Sequence, residues 1–144
     1  MGKNNKFKEK EEASYKRELK NIDTKQGKKE PLIVFSLKDF DKSQGQSSEE
    51  WQKENLLSLV FNKLNNISQL TKIEATAQQI IKQYPNFPPD TEFKYPKHIL
   101  PDVIWCSMRI QGKERVIGYF EDNIFYIVFL DKNHEFWISE KKNT

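Results

Sequence analysis

Four apolar runs in the last third of the chain have the length and alternation of β-strands. They read VIWCSMRI, ERVIGYF, NIFYIVFL and HEFWIS, and they occupy residues 103–110, 114–120, 123–130 and 134–139. Short segments with Gly, Asn and Asp separate them, and such residues form the tight turns of hairpins. The pattern therefore predicts an antiparallel meander of four strands from Val103 to Ser139.

Upstream of the meander, the sequence indicates one strand. Residues 32–37, LIVFSL, form a nearly continuous apolar run after Pro31, which is typical of a strand that is buried on both faces.

Two helices are predicted after this strand. Ser47 lies three residues before Glu50, and Thr71 lies three residues before Glu74, which is the spacing of the capping box at a helix N-terminus. The first box opens a helix of about four turns with Leu56 on its apolar face. The second opens a helix that extends to Tyr84, where Pro85 ends it. We expect the two helices to pack as a hairpin.

A proline-rich segment separates the helices from the meander. Residues 85–102, PNFPPDTEFKYPKHILPD, contain five prolines, which exclude a helix or a central strand. We interpret it as an extended ordered crossing. The fold class is thus α+β with the order β-α-α-β-β-β-β, in which the helical hairpin packs on one face of the sheet. Residues 31–144 are expected to form this single domain.

The basic character of the chain belongs to its first thirty residues. They contain ten Lys and Arg against six Asp and Glu, whereas residues 31–144 contain fourteen against fifteen. This segment is also poor in apolar residues, and burying them cannot offset the entropy that is lost on ordering the chain. Residues 1–30 are therefore predicted to be a disordered basic tail. It is either a solubilising tail or an arm for nucleic acid or a partner protein.

Several functional classes are disfavoured by composition. With one cysteine and two histidines, the chain has no intrachain disulfide and too few ligands for a structural zinc site. We therefore expect no bound metal, and no cofactor is predicted; no phosphate-loop motif occurs. No apolar stretch is long enough for a membrane span, and the N-terminus lacks a secretory signal, so a cytoplasmic location is predicted.

The register of the first hairpin decides which side chains share a face. A two-residue turn would place Arg115 in the core, where an unpaired guanidinium costs several kcal/mol. A three-residue turn at 111–113 instead places Val116 and Gly118 beside Met108 and Cys106 in the core. Phe125, Ile127, Phe129, Phe136 and Ile138 then join the face that the helices cover.

The opposite face contains the candidate functional residues. Arg109 and Arg115 become cross-strand neighbours, with Lys113 in the turn between them, and like charges so placed repel unless an anion lies between them. His134 and Glu135 fall at the same end of the face. Its aromatic rings are Trp105, Tyr119, Tyr126 and Trp137. Arginines that bind phosphate and rings that stack on bases are typical of single-stranded nucleic-acid binding.

Structural interpretations of these residues stay open. The proline-rich segment, the tail or a second subunit could cover the aromatic face. Arg109 could pair with Glu135 or Glu114, and His134 could be a residue of a hairpin turn.

The stretch MRIQGKERVIGYFEDNIFYIVFLDKNHEFW resembles the RelE/ParE superfamily of bacterial toxin-antitoxin toxins. Those proteins combine a helical hairpin with a C-terminal sheet, and Arg109, Arg115 in ERVIG and His134 in KNHEF match three of their characteristic positions. Two features depart from the family: the basic tail with the proline-rich insertion, and the slightly acidic domain.

The resemblance implies a metal-independent endoribonuclease. In this reaction the 2′-hydroxyl of RNA attacks the adjacent phosphate. Arg109, Arg115 and Lys113 would hold the phosphate, and His134 and Glu135 would transfer protons. Trp105, Tyr119, Tyr126 and Trp137 would stack on bases. RNA and an antitoxin are the implied partners. The alternative is a non-catalytic interaction module that docks an antitoxin, a topoisomerase or a phage-defence protein.

Overall fold

A computed structural model describes residues 30–138 of the chain. The predicted tail therefore lies outside the described residues, except Glu30, and so do residues 139–144. Within these residues the fold is α+β, as predicted, with three helices and a five-stranded sheet. The elements are β1 (Val34–Ser36), α1 (Ser48–Lys53), α2 (Leu57–Ile67), α3 (Lys72–Ala77), β2 (Ile81–Gln83), β3 (Trp105–Gln111), β4 (Glu114–Glu121) and β5 (Ile124–Asp131).

Both predicted capping boxes are present at the N-termini of α1 and α3. The predicted first helix, however, is broken into α1 and α2. Asn55 has a φ of 61° between them, a left-handed conformation that asparagine tolerates better than most residues. The break lets Trp51 of α1 become fully buried.

The second predicted helix is shorter than expected. It ends at Ala77, and Gln79 follows with a φ of 59°. Residues 81–83 then form β2, which pairs antiparallel with β3. The β-branched pair Ile80 and Ile81 favours a strand, and pairing with β3 prevails over the helical apolar spacing.

The strand order of the sheet is β1-β5-β4-β3-β2. Strand β1 runs parallel to β5, whereas the other pairs are antiparallel. The prediction of a fourth meander strand at 134–139 is wrong, because its described part, residues 134–138, consists of bends and irregular backbone. The edge of β5 at which this strand would add is already occupied by β1.

The predicted register of the β3–β4 hairpin is confirmed. Arg109 lies opposite Arg115, and Cys106 lies opposite Gly118. The turn, however, contains only residues 112 and 113, because Gln111 pairs with Glu114. Ile110 forms a β-bulge, and this unpaired residue gives the same register as a three-residue turn.

A second irregularity, between β4 and β5, changes the predicted faces. Ile117 pairs with Phe129 while Gly118 pairs with Ile127, so Val128 is the extra residue. A bulge inverts the alternation that follows it. Phe129 therefore belongs to the aromatic face, the reverse of the prediction, and Leu130 belongs to the helix-covered face.

Two further assignments to the helix-covered face are wrong. Phe136 is buried within the aromatic cluster, and Ile138 is 60% exposed. None of the helices within residues 30–138 is long and apolar enough to cross a membrane.

The thiol of Cys106 provides a simple test of this core. The side chain is fully buried between the sheet and the helices, and burial raises its pKa to about 12. Because the thiolate is the reactive form, we expect iodoacetamide at pH 8 to leave Cys106 unmodified in native protein and to modify it in urea. Mass spectrometry measures both, and rapid labelling of native protein would contradict the burial.

Candidate functional site

The aromatic half of the predicted binding face is covered by the proline-rich segment. Trp105 is only 1% exposed and Tyr119 only 7%. Phe87 packs edge-on against Trp105 with ring centres 5.3 Å apart, and Phe93 lies 4.7 Å from Phe129. Trp105 and Tyr119 are thus part of a second hydrophobic core and have no free ring face for a base.

The two tyrosines of this face are engaged with each other. Tyr119 stacks on Tyr126 with ring centres 4.9 Å apart, and its hydroxyl donates to the carboxylate of Asp39. Burial and this carboxylate raise the pKa of Tyr119. The ammonium of Lys38 lies 5.8 Å from the Tyr126 ring. Tyr126 is half-buried and lies away from the two arginines.

The arginine end of the face is open. Here a cavity of about 180 Å³, called the basic cavity below, brings together Arg109, Arg115 and His134. Trp137 is the one predicted aromatic residue that contributes to it. The complete lining is Gln79, Ile80, Lys82, Tyr84, Ser107, Arg109, Arg115, His134 and Trp137.

Neither arginine of the cavity forms an ion pair with any carboxylate that the structure describes. Arg115 is half-buried, and its Nη1 donates to the carbonyl oxygens of Gly112 at 2.8 Å and Glu114 at 3.1 Å. Burial and the positive charge of Arg109 lower the pKa of Arg115, although Arg115 remains charged at neutral pH. An anion between the two guanidinium groups would relieve this repulsion.

His134 reaches the cavity through a turn that Asp131 holds in place. Asp131 is 1% exposed, and its two carboxylate oxygens accept the backbone N–H groups of Glu135 at 2.9 Å and Phe136 at 2.8 Å. His134 itself has a φ of 56°. Such conformations are uncommon, and they persist where the surrounding structure enforces them. Asp131 is therefore a positioning residue for the imidazole.

The environment keeps the imidazole of His134 neutral. Burial lowers its pKa, and the positive charges of Arg115 and Lys82 lower it further, against the opposing effect of Asp131. At neutral pH His134 is thus a proton acceptor rather than a proton donor.

The region that the sequence suggested was helical contributes four residues to the cavity: Gln79, Ile80, Lys82 and Tyr84. Lys82 of β2 pairs with Ser107 of β3, and Tyr84 follows on the same face. The Tyr84 hydroxyl lies 2.8 Å from the Ser107 hydroxyl, and burial raises the pKa of Tyr84. The alternation of side chains along the segment IIKQY, residues 80–84, was the signal that could have identified Lys82 and Tyr84.

Trp137 packs against the same tyrosine. Its ring is parallel to that of Tyr84 within 11°, at a centre distance of 4.5 Å. Only the other ring face of Trp137 is therefore left for a base.

Besides Trp105, Tyr119 and Tyr126, two further predicted site residues lie outside the basic cavity. Lys113 is exposed in the hairpin turn. Glu135 is exposed beside a different cavity, next to Gln44 and Glu92, and its backbone oxygen accepts the hydroxyl of Thr91 at 3.2 Å. Within residues 30–138 no cluster of His, Cys, Asp and Glu could hold a metal ion.

The basic cavity thus combines two arginines that no described carboxylate pairs with and a histidine whose pKa is lowered. Comparisons of the chain with protein-family models, with curated proteins and with solved structures found no match.

Proposed function

We propose that this protein binds single-stranded RNA at the basic cavity and cleaves it without a metal ion, in the manner of the RelE/ParE-like toxins that its sequence resembles. The observation that carries the proposal is the direct opposition of Arg109 and Arg115 beside His134. Like-charged neighbours on a sheet destabilise it. A bound phosphodiester would neutralise the two guanidinium charges, so phosphate binding accounts for their placement side by side.

The size of the cavity restricts what it holds. A volume of about 180 Å³ accommodates a phosphate and part of a ribose, but not a complete nucleotide. The bases must therefore lie outside, where the free face of Trp137 is the available stacking surface. This arrangement suits backbone recognition with little dependence on base sequence.

The residues of the cavity can perform the reaction as follows. Neutral His134 removes the proton of the 2′-hydroxyl, the O2′–P bond forms and the P–O5′ bond breaks. Arg109, Arg115 and Lys82 stabilise the negative charge that develops on the phosphorane. The leaving O5′ takes a proton, and Tyr84, whose raised pKa keeps its hydroxyl protonated, is the candidate donor in place of Glu135. The products are a 2′,3′-cyclic phosphate and a 5′-hydroxyl.

Removal of one guanidinium tests the proposal. We expect Arg115→Ala to weaken RNA binding and to slow cleavage by about 100-fold or more, because a charge that stabilises the transition state is lost. The measurement uses the full-length protein with EDTA and a fluorescein-labelled RNA, with anisotropy for binding and gel analysis for 2′,3′-cyclic phosphate ends.

A matched control removes a cation elsewhere. Lys63 lies on α2, on the other side of the sheet, so Lys63→Ala should bind and cleave like the original protein. A wild-type protein that neither binds nor cleaves RNA would contradict the proposal. So would an Arg115→Ala variant with full activity.

A non-catalytic interaction module is the second candidate, and one observation favours it. The helix-covered face contains a large apolar groove with exposed aromatic and aliphatic walls. If the protein binds a partner protein but does not cleave RNA, that result would favour this second function.

A further inference from the structure

The helices leave part of their own sheet face uncovered. α2 and α3 pack over β3 and β2. Between α2 and the segment that follows β1, a groove of about 750 Å³ remains, which we call the apolar groove. Its floor consists of the core residues Val116, Ile127 and Leu130. The groove therefore reaches down to the sheet.

Both walls of the apolar groove carry large exposed apolar side chains. Phe61 on α2 is 70% exposed, and Leu37 on the opposite wall is 69% exposed. Leu57 and Leu64 share the helix wall, and Phe40 lies across from them. Single exposed apolar residues are ordinary, but a concave set of them that continues into the core marks a binding site.

We propose that the apolar groove binds one amphipathic helix of a partner protein, whose apolar face is flanked by acidic side chains. Two turns of an α-helix, with a diameter of roughly 10 Å, occupy roughly 850 Å³, which is close to the size of the groove. The charged residues that line it are Lys38 and Lys42, and among the described residues no Asp or Glu does so. An acidic flank is therefore complementary.

The same features disfavour other occupants. In a symmetric dimer each patch faces its own copy, so Lys38 and Lys42 would meet the lysines of the second copy and repel them. A small apolar ligand could fill the floor, but it would leave Phe61 and Leu37 exposed to water. A helix covers the floor and both walls together.

The apolar groove and the basic cavity lie on opposite faces of the sheet. Val116 of the floor alternates with Arg115 and Ile117 along β4, so their side chains point in opposite directions. A bound helix leaves the basic cavity open. Helix binding in the apolar groove therefore does not depend on RNA cleavage.

Two synthetic peptides test the inference with the full-length protein. Each is an 18-residue helix-forming peptide with leucines at i, i+3, i+4 and i+7, and the leucine stripe is flanked by glutamates in one and by lysines in the other. By fluorescence anisotropy we expect saturable binding of the glutamate peptide and about tenfold weaker binding of the lysine peptide. Lys42→Glu should narrow or reverse this preference.

Substitutions of exposed residues locate the site. Phe61→Ser should weaken binding of the glutamate peptide by about tenfold or more, since a central aromatic contact is lost. Ile73→Ser is the matched control, because Ile73 is 61% exposed on α3 outside the groove. It should bind like the original protein.

Five results would overturn the inference. These are equal binding of the two peptides, binding that Phe61→Ser leaves unchanged, and no binding of the glutamate peptide below about 1 mM. The fourth is a dimer in sedimentation experiments that Phe61→Ser dissociates, which would make a second copy the occupant. Binding of dodecanoate in the absence of peptide binding would likewise identify a small-molecule pocket and exclude a helix.

Discussion

His134→Asn should slow RNA cleavage by about 100-fold to 10,000-fold, the usual contribution of a general base, and should leave RNA affinity nearly unchanged. The imidazole is neutral at pH 7 because burial and the charges of Arg115 and Lys82 lower its pKa. It therefore contributes no charge to phosphate binding. This pattern differs from that of Arg115→Ala, which should impair both binding and cleavage.

Asparagine is the appropriate replacement at position 134. The backbone φ of 56° favours residues that tolerate the left-handed region, and asparagine does so better than alanine. A loss of activity in His134→Asn then reports the missing proton acceptor rather than a distorted turn. Circular dichroism and thermal unfolding should match those of the original protein.

The pH profile gives a second readout for His134. Cleavage requires the neutral imidazole, so the rate should fall as the pH drops through the pKa of His134, which lies below its ordinary value of about 6.5. Above that pKa the rate should not depend on this group. The residual rate of His134→Asn should lack the acidic limb. An identical limb in the variant would assign the titration to another group and remove His134 from the mechanism.

Gly118→Ala should have the largest effect on stability, with a loss of about 3 kcal/mol or more. A Cβ at this position would lie 2.0 Å from the backbone oxygen of Tyr126 and 2.6 Å from the ring of Phe125. The first of these is a backbone atom beside the β4–β5 bulge, so it cannot move without disturbing the strand pairing. Such a loss is a large part of the total stability of a typical domain, about 5–15 kcal/mol.

Cys106 provides a local probe for this destabilisation. It lies directly opposite Gly118 on β3, so opening of the hairpin in Gly118→Ala should expose the thiol to iodoacetamide in native buffer. Urea unfolding measures the change in free energy.

Gly112→Ala is the matched control for Gly118→Ala. Gly112 has a φ of 51° in the hairpin turn, and a Cβ there would meet only the Glu114 carboxylate, at 3.4 Å. Its expected cost is about 1–2 kcal/mol, from the left-handed backbone alone. Equal losses in the two variants would show that the close approach at Gly118 does not constrain the sheet.

The sequence predicts that Arg109 and Arg115 are cross-strand neighbours, because the alternative register would bury the charge of Arg115 in the core. A guanidinium cannot enter an apolar core without a partner, which left one register for the hairpin, and the structure has that register. The capping boxes at Ser47 and Thr71 are equally local, since each depends on residues three positions apart.

Long-range packing decided the features that the sequence did not indicate. The segment before Pro85 pairs as a strand because β3 offers a free edge, although its apolar spacing also fits a helix. The run that contains Phe136 forms no described strand because β1 occupies the edge of β5. The coverage of Trp105 by the proline-rich segment depends on contacts between residues far apart in the chain.

The sequence by itself determined the α+β class, the alternation of the three long strands and the pairing of the two arginines. These depend on local turns, on caps and on the free-energy cost of burying charge, all of which are encoded within a few residues. Only the tertiary structure decided that Lys82 and Tyr84 join the arginines, that Glu135 leaves them and that half of the aromatic face becomes core. Those outcomes depend on which sheet edges are free and on how a bulge shifts the faces, and such competition is settled only when the whole chain packs.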